Sequence, residues 1–106
     1  MGIKREKVLI TRRAQQSIKE IFDYIRNREQ SVEKAHYVRK AIIEKCADLK
    51  DFSGYSKEKY LEEFPGDYRS VNLWNYVIIY IATKHEIRVL NIVHSHQHPD
   101  SRKELE

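Results

Sequence analysis

The chain has 106 residues, 41% hydrophobic and 34% charged, with 3 Gly, 2 Pro, one Cys and a formal charge of +4. That length holds one domain, taken here as residues 1–106, and the composition excludes a disordered or loop-rich chain. Cys46 has no partner for an intrachain disulfide, and neither a signal peptide nor an apolar run of spanning length is evident, so the sequence reads as cytoplasmic with no membrane contact.

Lys7–Thr11 (KVLIT) is a short β-branched run that ends on a residue suited to capping a helix. Ala14, Ile18, Ile21, Phe22 and Ile25 then fall on one stripe of an amphipathic helix ending near Arg28. Ser31 caps a second helix, in which Ala35, Val38, Ile42, Cys46 and Leu49 repeat every three or four residues until about Lys50. The short connection between the helices predicts an antiparallel hairpin.

Residues 51–67 read as a connecting segment with one helical turn around Glu58–Glu63. Three strand-like runs follow, Tyr68–Leu73, Tyr76–Thr83 and Ile87–Ser95, joined by short turns and therefore antiparallel. The expected fold is α+β in the order β-α-α-β-β-β, with the helical hairpin on one face of a small, mainly antiparallel sheet. Strict alternation puts Val77, Ile79 and Ile81 opposite Ile78 and Tyr80, and Val89 and Val93 opposite Leu90 and Ile92. Both sheet faces are then apolar, and the one away from the helices calls for a cover: the chain's own ends, a second copy or another protein.

Charge is unevenly spread, with 13 Lys/Arg against 7 Asp/Glu in residues 1–50 and 7 against 9 in residues 51–106. Such a basic half favours encounter with nucleic acid or an acidic protein and equally suits a plain solvated surface. Arg12, Lys19 and Arg26, spaced by seven, read as an outer helix face. His94, His96 and His98 alternate along the last strand, where imidazoles can serve as acid and base, although strand spacing holds the first and third too far apart for one metal ion. Arg69 can grip a phosphate or carboxylate with two parallel bonds. Lys57 and Lys59, beside Tyr55 and Tyr60, form a small basic and aromatic segment suited to RNA or simply to solvent. No phosphate-binding glycine loop, nucleophile elbow, zinc ligand pair or helix-turn-helix pattern is present, and the sequence calls for no cofactor and no metal.

Two strings, VLITRRAQQSIKEIFDYI and GDYRSVNLWNYVIIYIATKHEIRVLNIVHSHQHP, resemble the RelE/ParE superfamily of toxins from type II toxin-antitoxin systems. The carrying features are the strand running into a helix with an alanine one turn in, the Tyr68-Arg69 pair, the aliphatic strand ending at Tyr80, and the closing strand with His94. The resemblance implies neutralisation by a co-expressed antitoxin that lays a peptide over the toxin, which would cover the second sheet face. It also implies one of two targets. A RelE-like toxin cleaves messenger RNA on the ribosome without a metal; Arg69 would then stabilise phosphate charge and His94 or His96 would act as acid or base, with Lys57, Lys59 and His98 as further target contacts. A ParE-like toxin is not a nuclease and inhibits DNA gyrase. Where the superfamily often shows an arginine and a terminal tyrosine after the histidine, this chain has Ser95, His96, Gln97 and His98. That departure speaks against RNA cleavage, and the front string and the short closing strand look more ParE-like, so the ParE-like branch is favoured. A third reading, a binding partner that has lost toxicity, stays open, as does assembly as a homodimer or a hetero-oligomer with antitoxin.

Overall fold

Thr11 decides where the first helix begins. Its extended backbone cannot continue the helix backwards, and its Oγ1 accepts from the Ala14 amide at 3.2 Å, satisfying one of the amides that a helix start leaves without a partner. Ser31 does the same for the second helix through the Lys34 amide. The computed structural model describes residues 7–50, 68–83 and 85–95. Its elements are β1 (Lys7–Ile10), α1 (Arg12–Arg28), α2 (Val32–Asp48), β2 (Tyr68–Leu73), β3 (Tyr76–Ala82) and β4 (Glu86–His94). The helical turn expected around residues 58–63 lies outside the described residues.

Between the helices the Glu29 amide closes α1 on the Ile25 carbonyl at 3.0 Å, and Gln30 turns the chain at φ 51°. Glycine is the usual occupant of that left-handed position, and a residue with a Cβ costs about 1–2 kcal/mol there. The apolar stripes of both helices then meet one face of a four-stranded sheet ordered β1-β4-β3-β2. The first and last strands pair in parallel, whereas β2–β3 and β3–β4 are antiparallel, so the expected α+β arrangement holds with β4 and β3 at the centre.

Ile78 and Tyr80 of β3, Ile87, Val89 and Ile92 of β4, and Ile42, Cys46 and Leu49 from the end of the hairpin form the main core. Strict alternation in β4 does not survive. Ile79 pairs with Asn91 and Tyr80 with Val89, so Leu90 is an extra residue on its strand. This bulge reverses the parity along β4. Val89 therefore shares the helix side with Ile92, and Val93 packs with Val77, Ile79 and Tyr68 in a second cluster, correcting the grouping of Val89 with Val93. Val77, Ile79 and Val93 are all buried within the chain.

Two buried polar residues secure the bulge. Thr11 donates its hydroxyl to the Leu90 carbonyl at 3.2 Å and its amide to the Val89 carbonyl at 3.1 Å. Asn91, 3% exposed, uses Oδ1 to accept from the Ser17 hydroxyl and from the Ile92 amide at 2.8 Å. Removing that oxygen leaves the buried Ile92 amide without its acceptor and releases the half-buried Ser17 hydroxyl, an arrangement costing about 1–3 kcal/mol. Asn91→Ala is expected to lower unfolding stability by about 2 kcal/mol and Ser17→Ala by less, read from urea denaturation midpoints. Burial pushes the Cys46 thiol up to about 12, so at pH 8 it holds almost no reactive thiolate. A disulfide exchange reagent should label Cys46 only once denaturant unfolds the chain, with labelling and unfolding following one curve.

Candidate functional site

The turn joining β2 to β3 contains only Trp74 and Asn75, the shortest connection that closes an antiparallel pair. Hairpins of this length take positive φ at the first turn position and ordinarily place Gly or Asn there. Here Trp74 takes it, at φ 53°, where a bulky side chain is strained. Trp74 remains 54% exposed and stacks on Tyr37 of α2 with ring centroids 5.9 Å apart; Tyr37 is itself 65% exposed. Two large aromatic surfaces are thus held together in water.

They form one end of a groove of about 990 Å³. Its long wall is the α1 row Arg13, Ser17, Ile21 and Tyr24, which recurs at three and four residues on one side of the helix. Its other wall is the end of the sheet, where Tyr76 and His94 pair across β3 and β4 with rings edge-on at 5.8 Å. The Ser17–Asn91 bond crosses the floor. Burial pushes the Tyr76 phenol above its ordinary range, and the Glu29 carboxylate adds to the push, so the phenol stays a neutral hydrogen-bond donor. Glu29 is paired with Lys34, and both line the groove. The lining mixes aromatic and aliphatic side chains with an equal share of polar and charged ones, among them Arg13, Glu20, Glu29 and Lys34, a composition that suits a protein segment.

The structure separates the residues singled out from sequence. Arg69 on edge strand β2 aligns with Tyr80, whereas His94 aligns with Tyr76, four residues away along β3. At the rise of a strand this separates them by about 13 Å along the strand direction, and β3 lies between their two strands. Both are half-buried. The register does not place the backbones of Arg69 and His94 side by side. His96, His98, Lys57 and Lys59 lie outside the described residues. Trp74, Tyr37 and Tyr24 were not among the candidates read from sequence. Their signal was available: tryptophan where a tight hairpin wants glycine, and tyrosines on helix positions away from the apolar stripe.

Among the described residues no helix is long and apolar enough to cross a membrane. Residues 8–99 match the family described as ParE toxin of type II toxin-antitoxin system, parDE. The chain is also similar in fold to a solved structure titled "Chromosomal ParDE TA system from P. aeruginosa", at 24% identity over 86% of this chain and 96% of that chain, with a TM-score of 0.67. A search of curated proteins gives no match. Because the family match runs from β1 to beyond the end of β4, the chain belongs to the ParE toxin family of type II toxin-antitoxin systems.

Proposed function

We propose that this toxin, a single working domain over residues 1–106, arrests growth in the cytoplasm by inhibiting DNA gyrase. A co-expressed antitoxin neutralises it by seating an apolar segment in the groove beside Trp74. The match to the ParE family over residues 8–99 carries the reading of the target. The distance between Arg69 and His94 along the sheet speaks in the same direction, since metal-independent RNA cleavage needs such groups on one phosphodiester. For the antitoxin seat the support is the groove itself: exposed aromatics in a concave lining are the side chains that dominate protein interfaces.

Inducing the chain without its neighbouring gene is expected to stop growth and to accumulate gyrase-linked DNA breaks, and the purified chain is expected to inhibit gyrase in a supercoiling assay. Ribosome-dependent transcript cleavage with gyrase unaffected would replace this reading with the RelE-like one, and unimpaired growth would support a chain that has lost toxicity. Arg69→Ala and His94→Ala assign the contact residues: gyrase inhibition unchanged by both would remove Arg69 and His94 from the site.

Trp74 offers a separate test of the groove. Glycine relieves roughly 1–2 kcal/mol of left-handed strain and forfeits about 0.5–1.5 kcal/mol of ring stacking, so the two effects nearly cancel in the free toxin. An interface anchor is worth about 2 kcal/mol or more on truncation. Trp74→Gly should therefore leave the unfolding midpoint within about 1 kcal/mol of the parent value while weakening antitoxin binding roughly thirtyfold in calorimetric titration. Unchanged antitoxin affinity would show that the segment seats elsewhere.

A further inference from the structure

The helical hairpin carries a second set of side chains on the part of α1 turned away from the groove. Phe22 sits there half-buried, with the Arg39 guanidinium carbon 4.9 Å and the Arg26 guanidinium carbon 5.8 Å from its ring centroid. His36 meets the same ring edge-on at 4.9 Å. Three basic side chains from two helices are gathered by one aromatic ring, and all three are exposed. Attraction to the ring face holds guanidinium groups in place that would otherwise sample many rotamers.

The hydrogen-bond chemistry of the set is one-sided. Arg39 Nη2 lies 3.1 Å from His36 Nδ1, and a guanidinium can only donate, so Nδ1 accepts and the imidazole carries its proton on Nε2. What the patch offers outward is then the remaining guanidinium N–H groups and the imidazole Nε2–H, with no acceptor among them. Carboxylates do not cancel it. Asp23 is shared between Lys19 at 2.8 Å and Arg26 at 3.4 Å, so one negative charge faces two positive ones. Among the described residues Arg39, His36 and the neighbouring exposed Lys40 have no ion pair, although Glu33 and Glu44 flank them in sequence.

We propose that this patch contacts the phosphate backbone of duplex DNA. Planar guanidinium donors match phosphate oxygens, and a set of donors without acceptors selects an anion. The surface is the outside of two helices and lies away from the groove, so it offers a peptide neither walls nor an unpaired strand edge. A duplex needs only donors spaced along a rail of regularly repeated charge. The excess of 13 basic over 7 acidic residues in residues 1–50 draws the polyanion to this half of the molecule.

The test uses the purified full chain, a fluorescently labelled duplex of arbitrary sequence and a salt titration followed by anisotropy. Arg39→Ala is expected to weaken binding about fivefold or more at low salt and to reduce the slope of log K against log salt by about one. Arg88→Ala, an exposed cation on β4 and outside the patch, should weaken binding by less than half as much. Phe22→Leu keeps the apolar filling but releases the guanidinium groups; it should lower affinity with the slope nearly unchanged, and its circular dichroism and melting curve establish that it is folded. Equal effects of Arg39→Ala and Arg88→Ala would reduce the patch to general charge and overturn the proposal. Polyglutamate displacing the duplex at equal charge concentration would also overturn it, in favour of an acidic protein partner. Gyrase inhibition is read in a separate assay, so either reading can fail while the other stands.

Discussion

The structure depends on how β4 is held at its bulge. This strand pairs in parallel with β1 on one side and antiparallel with β3 on the other, and it supplies the residues that α1 packs against. An extra residue in so central a strand leaves polar backbone atoms that the ladder no longer satisfies. Thr11 takes up the Leu90 carbonyl with the same hydroxyl that caps α1, and Asn91 ties the following amide to Ser17 on the first turns of that helix. The bulge, the helix start and the β1–β4 pairing are consequently one arrangement. Its downstream product is the direction of Ile92, Val93 and His94, which form a wall of the groove.

Much of this fold is legible in sequence because its signals are local. Thr11 and Ser31 stand where caps belong, the stripe from Ala14 to Ile25 has the helical period, and the Trp74-Asn75 break leaves room for nothing but a hairpin turn. The bulge is not legible. Leu90, Asn91 and Ile92 read as an uninterrupted strand, and an asparagine within it gives no hint that its oxygen is taken by a serine 74 positions earlier. Missing that one residue puts Val89 and Val93 on one face, where the structure places Val89 with the main core and Val93 in a second apolar cluster with Val77 and Ile79.

The candidate site was less legible than the fold, for a related reason. Arg69 and His94 attract attention as chemical types, but their relation is set by register, and register places them on opposite ends of β3. The groove, by contrast, is built from residues whose types suggest ordinary packing. Only the conjunction of a strained backbone at Trp74, its exposure and its stacking on an equally exposed Tyr37 marks them out. Tertiary structure would ordinarily bury such rings or replace the strained one with glycine, so their persistence in water points to use by a partner.

The helical period allows α1 to serve two surfaces without conflict. Ser17, Ile21 and Tyr24 line the groove, while Lys19, Phe22, Asp23 and Arg26 form the basic row, and positions two apart on an α-helix lie about 200° around its axis from one another. A segment seated beside Tyr24 and Trp74 therefore has no need to touch Phe22 or Arg39. Charge differs between the two surfaces as well, since the groove lining carries Glu20 and a Glu29 paired with Lys34, whereas on the outer row Asp23 is outnumbered. Protein binding at the sheet end and anion binding on the outer helices are thus separable in principle, and a neutralising partner that fills the groove could leave the basic row accessible.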